Sequence, residues 1–180
     1  MIRLTRSFAI AVAFGLLPAI AMSQKTDGTG SSLTAKEADE IVAYHNKARK
    51  DVGVDPVKWS SEIAKYAQAW ADHLAESGEF KHRPGEGEWA QKYGENIAIN
   101  ATALKGAEAW YSEIKDYKEG TPIPEDFSKF TAGNYTQMVW KKSTKIGCGV
   151  AVMKKGDYKG LLVIVCNYDP PGNFIGEKPY

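Results

Sequence analysis

The chain has 180 residues, with 23 Lys and Arg against 22 Asp and Glu, so its formal net charge is +1. The lysines are scattered and form no basic stripe, so nothing in the charge distribution calls for nucleic acid as a partner. The length suits a single domain with a real core, since domains typically run to about 100–150 residues.

Residues 1–21 are predicted to be a secretory signal peptide. Arg3 and Arg6 give a positive start, Phe8 to Leu17 is apolar, and Ala19-Ile20-Ala21 offers small residues for cleavage. A membrane anchor is the weaker reading, because a bilayer needs roughly 20 apolar residues. No later segment is apolar enough to span, so no transmembrane segment is expected once the signal is removed. Residues 22–33, rich in Gly, Ser and Thr, are expected to be a flexible lead-in.

Thr34-Ala-Lys-Glu37 fits a capping box. It opens a helix with Ile41, Tyr44, His45 and Ala48 on one stripe, ending before Gly53. Ser60 starts a second helix, whose apolar face carries Ile63, Tyr66, Ala67, Trp70, Ala71 and Leu74 and which Gly78 stops. Lys81 to Lys92 reads as loop. Ala103 to Ile114 shows a third helical pattern, and Gly120 to Thr131, with Pro122 and Pro124, is a long loop. Tyr135 to Trp140 fits a short helix. The β-rich runs Ile146–Met153 and Leu161–Cys166 make a hairpin, and the tail from Asp169 is rich in Pro and Gly. Helices early and a hairpin late give an α+β class.

Two cysteines in an exported chain suggest one disulfide. Folded about Asp157, the hairpin sets Cys148 opposite Cys166, equidistant from the turn. Opposed Cα atoms of a non-hydrogen-bonded antiparallel pair sit about 4.5 Å apart, within disulfide reach. The alternative is a pair of reduced core cysteines.

Among the three histidines, His73 reads as a surface helical residue and His45 as a packed, hydrogen-bonded core residue. His82 lies in a glycine-containing loop ahead of Glu95, which makes it the better candidate for a site. Glu113 follows Trp110 by one turn of helix. No Gly-x-Ser-x-Gly elbow and no His-Glu-x-x-His occurs, so the residues give no positive case for an enzyme. Asn100-Ala-Thr102 and Asn134-Tyr-Thr136 are formal glycosylation sequons.

Four motifs stand in order: Tyr44-His45-Asn46-x-x-Arg49, Gly94-Glu95-Asn96-Ile97, Gly133 to Ser143, and Val163 to Phe174. Together they resemble the CAP superfamily (cysteine-rich secretory proteins, antigen-five, pathogenesis-related class one) over roughly residues 34–180. The resemblance implies a three-layer α-β-α sandwich with a small antiparallel sheet. It also implies a cleft formed by His82, Glu95, Glu113 and Asn134. At the last of these the family usually carries a second histidine that helps to hold a divalent metal. An amide is a poor zinc donor beside imidazole, so His82 is expected to bind metal only weakly and no cofactor is required.

Some family members bind lipids through an aromatic loop beside the cleft. The matching residues here are Ile123, Phe127 and Phe130, which are otherwise expected to tuck under the loop. The tail, residues 170–180, resembles a terminal peptide that some plant members release; packing on the sheet is the plainer expectation. The expected protein is a secreted monomer, or a periplasmic one in a bacterium, that binds a lipid, sterol or similar apolar ligand. The alternatives are a metal-dependent hydrolase using His82, Glu95 and Glu113, and a protein-interaction or defence-signalling module with a degenerate cleft.

Overall fold

A computed structural model describes residues 28–180. The signal segment and residues 22–27 of the lead-in lie outside the described residues. The rest of the lead-in is not loose: Ser31 and Leu33 are buried, and Thr29 donates its hydroxyl to the Leu33 carbonyl at 2.9 Å.

Helix α1 (Ala35–Asp51) opens on the expected capping box, with Thr34 and Glu37 satisfying each other's backbone N–H groups. The two-residue strand β1 (Lys58–Trp59) follows. Helix α2 (Ser61–Ser77) begins at a Ser60 cap and ends on Gly78, whose φ of 80° is the left-handed conformation that glycine adopts freely. Strand β2 (Gly94–Asn100) was not foreseen from the residues. It is buried along most of its length, and such a run lacks the alternation that marks a half-exposed strand.

Helix α3 (Ala103–Ser112) ends earlier than expected, and Glu113 opens a 3₁₀ turn that runs to Asp116. Helix α4 (Gly133–Met138) is short. The hairpin is β3 (Lys145–Val152) and β4 (Leu162–Asp169).

The sheet order is β1-β3-β4-β2. It is mixed rather than wholly antiparallel, because β1 pairs with β3 in parallel. The β3–β4 register sets Cys148 opposite Cys166, and the two form a disulfide with Cα atoms 4.1 Å apart.

The sheet divides two cores. On one face, Ala67, Trp70, Ala71 and Leu74 of α2 meet Ile97, Val163 and Val165. On the other, Ile41, Ala107, Trp110, Tyr135 and Met138 meet Ile146, Ile164 and the disulfide. The three expected layers are therefore present. Helix α2 lies so close to β3 that a Cβ at Gly147 would overlap the helix backbone at Ala64.

Candidate functional site

The end of the sheet at Gly94 and Tyr168 opens into a cavity of about 530 Å³. His82, Glu95, Glu113 and Asn134 all line it, and so do Phe127 and Phe130. The four expected cleft residues thus converge, but as two couples.

In the first couple, His82 donates from Nδ1 to Glu95 Oε1 at 2.9 Å. A carboxylate can only accept here, so Nδ1 carries a proton and Nε2 is left for the cleft. The Glu95 side chain is fully buried. It also accepts from the Arg83 backbone N–H at 3.1 Å and from the Asn167 amide at 3.3 Å, and the Arg83 guanidinium lies 3.8 Å away.

That guanidinium sits 3.8 Å from the Tyr66 ring centroid and 5.1 Å and 5.3 Å from those of Trp70 and Trp89, so cation–π attraction helps to hold it behind the carboxylate. His73 stacks on Trp70 with centroids 4.8 Å apart and lies 4.7 Å from Trp89. It is a brace for this cage rather than the plain surface residue expected. Arg83 and Asn167 were missed as site residues. Their only sequence signal was position, one beside His82 and the other inside the Cys166-Asn167-Tyr168 motif.

In the second couple, Asn134 donates its side-chain amide to Glu113 Oε1 at 2.7 Å and its backbone N–H to Oε2 at 2.8 Å. Tyr135 N–H adds a bond of 3.1 Å to Oε2. Burial raises the Glu113 pKa, and these donors oppose the rise without cancelling it. Asn134 therefore serves one acid, Glu113. The Asn96 amide ties the wall together by donating to the Asn134 carbonyl at 3.0 Å and to the Tyr168 hydroxyl at 3.1 Å.

The aromatic rim is Phe127, which is 42% exposed, and Phe130, with ring centroids 5.8 Å apart. Ile123 does not belong with them. It is 1% exposed, and its backbone pairs with the tail: Ile123 N–H donates to the Glu177 carbonyl at 2.8 Å, and Gly176 N–H to the Ile123 carbonyl at 2.9 Å. The tail packs on the Ile123 loop and α4 rather than on the sheet as expected, and forms one cleft wall at Pro171, Gly172 and Asn173. Gln137 Oε1 accepts from Gly172 N–H at 2.9 Å, and Asn173 donates to the Gly133 carbonyl at 2.8 Å.

A larger hollow of about 840 Å³ lies beside the outer edge of β3 and includes Asp72, Glu76 and Lys154. Lys154 and Glu76 pair with each other there, so those charges do not converge on a ligand as the cleft groups do.

The profile of the cysteine-rich secretory protein family, CAP, matches residues 42–168. The chain belongs to the CAP family. Pathogenesis-related protein 1A of Nicotiana tabacum is 39% identical over 140 residues, 76% of each chain. The secreted protein RBT4 of Candida albicans is 36% identical over 143 residues, 79% of this chain and 37% of that one. The structure of BmVAL-1 superposes with a TM-score of 0.67 at 27% identity, covering 84% of each chain. NaASP2 with Zn2+, at 23% identity and a TM-score of 0.64, shares the fold over 82% of this chain and 86% of that one. Like its CAP relatives this is a secreted protein, and no described helix is long and apolar enough to cross a membrane.

Of the two imidazoles that usually hold a divalent ion in a CAP cleft, one is present, because Asn134 stands at the place of the second. Among the described residues no three His, Cys, Asp or Glu side chains are placed to share an ion. Asn134 turns its amide nitrogen to Glu113, so what it offers an ion is its amide oxygen, a poor zinc donor beside imidazole. His82 is the one imidazole lining the cleft, and its bond to Glu95 through Nδ1 leaves Nε2 as a single imidazole donor.

Proposed function

We propose that this CAP protein is an extracellular binding module whose cleft takes a small amphipathic ligand, a lipid or sterol, without a metal. The polar end of such a ligand would meet His82 Nε2 and the Asn134 carbonyl end, and its apolar body would lie along Phe127 and Phe130. The observation that carries the reading is that one cavity of about 530 Å³ holds both the polar quartet and the aromatic pair. Its volume is within the roughly 300–1,000 Å³ of small-molecule sites, which combine an apolar lining with a few placed polar groups. The likeness to pathogenesis-related and secreted proteins supports a role outside the cell.

Native mass spectrometry of the purified protein is expected to find co-purified lipid. Titration with a fluorescent sterol or fatty acid measures the affinity, and the double variant Phe127→Ala/Phe130→Ala is expected to weaken it about tenfold or more, as the loss of two contacting aromatics should. Unchanged affinity in that variant would overturn the reading. Chelator-sensitive turnover that Glu95→Gln abolishes would replace it with the hydrolase alternative.

A further inference from the structure

The turn between β3 and β4 carries an unpartnered apolar surface. Leu161 is 46% exposed, Phe80 42% and Tyr158 40%. These residues belong together. The rings of Phe80 and Tyr158 are 5.8 Å apart, edge to face. Leu161 N–H donates to the Tyr158 carbonyl at 3.0 Å.

Four lysines surround them. Lys154 pairs with Glu76, and Lys81 pairs with Glu79 at 2.8 Å. Lys155 and Lys159 have no ion pair among the described residues, and Asp157 is the one acid between them. The local excess of charge is positive.

Placement matters as much as composition. Leu162 faces Val152 on one side and Asn100 on the other, whereas Gly94 and Lys145 face Tyr168 and Asp169 at the far end. The cleft opens at that far end. A strand of eight residues spans roughly 25 Å, so Tyr158 and Leu161 at the turn lie far from that end of the sheet, while Phe80 stands two residues before His82 of the cleft.

We infer that this tip is a docking surface for an anionic lipid bilayer. Side chains projecting from a chain reversal suit a soft surface that closes around them. Tyrosine and phenylalanine flanked by lysine match the headgroup layer, where an aromatic body is buried and a cation meets lipid phosphate or carboxylate. Each lysine near such a surface contributes about 1 kcal/mol, and Lys155 and Lys159 against Asp157 leave one net positive charge for selectivity toward anionic lipid while the apolar groups supply the seating. This docking does not depend on what the cleft binds.

The test is sedimentation of the purified protein with vesicles of phosphatidylcholine alone and of phosphatidylcholine mixed with phosphatidylserine. Partition is expected to be roughly tenfold higher on the mixed vesicles at low salt, and added salt should erase the difference. Lys155→Ala/Lys159→Ala should remove that selectivity. Tyr158→Ser/Leu161→Ser should lower partition on both vesicle types. All four positions are exposed, so both variants should keep the wild-type Tm. Equal partition on the two vesicle types would overturn the inference, and so would binding that the tip variants leave intact. Loss of sedimentation only in Phe127→Ala/Phe130→Ala would assign the lipid contact to the cleft instead. Tip-dependent self-association without vesicle binding would make the surface a contact between copies of the chain.

Discussion

The core and the cleft treat similar side chains in opposite ways. In the core, His45, Arg49 and Tyr168 are all buried to within 1%. His45 donates from Nδ1 to the Ile41 carbonyl at 2.8 Å, and its Nε2 accepts from the Tyr168 hydroxyl at 2.9 Å. Asn96 then links Tyr168 to Asn134 at the cleft wall. In the cleft, His82 is 55% exposed at its side chain and keeps one ring nitrogen uncommitted. The pair shows that an imidazole's role is decided by whether its second nitrogen is spoken for. Both histidines sit near a tyrosine or a carboxylate, and only one can meet a ligand.

The largest break in that contrast should come at Arg49. Its guanidinium donates to the carbonyls of Asp55, Met138, Trp140 and Ser143, at 2.7 to 3.0 Å. It thereby ties α1 to the end of α4 and the turn into β3. Burial lowers its pKa to about 10, so it stays charged at neutral pH. Arg49→Met leaves buried carbonyls without donors, and a loss of about 3–5 kcal/mol is expected from urea unfolding. A loss under about 1 kcal/mol would show that water reaches those carbonyls.

Acid should break the core next. Burial lowers the His45 pKa to about 4, against about 6.5 in an unfolded chain. Between these values the unfolded state binds the extra proton. Stability is therefore full above about pH 6.5 and falls as the pH drops toward 4, by up to roughly 3 kcal/mol. Urea midpoints across that window measure the slope, which His45→Gln should flatten. The same slope in the variant would assign it to other groups.

Legibility in the sequence followed the same division. Residues whose role depends on local spacing were readable: the Thr34 cap, the Gly78 stop, and the hairpin register that set Cys148 against Cys166. The convergence of His82, Glu95, Glu113 and Asn134 was legible only through the family motifs, because 52 residues separate the first from the last and no local rule joins them. Strand β2 was hidden by its even burial. Ile123 was misplaced because an apolar residue between two prolines looks exposed until the tail arrives to pair with it. Arg83 was missed because its partners, Tyr66, Trp70 and Trp89, come from other segments of the chain.

Metal affinity sharpens the contrast from the cleft side. Asn134→His would supply a second imidazole beside His82 and free Glu113 from the amide. Isothermal titration with zinc is expected to show weak binding in the wild type and a gain of about tenfold or more in the variant. Equal affinities would mean that the two side chains do not reach a common ion.

The smallest effect on stability should be at His82. Its bond to Glu95 is one of several that carboxylate receives, and Arg83 and Asn167 remain when the imidazole is gone. A single hydrogen bond from a half-exposed donor contributes about 1 kcal/mol net. His82→Ala should therefore unfold within about 1 kcal/mol of the wild type, while its affinity for a fluorescent amphiphile falls. A large loss of stability with affinity intact would reverse the assignment, making His82 the structural histidine and leaving Glu113 and Asn134 to face the ligand alone.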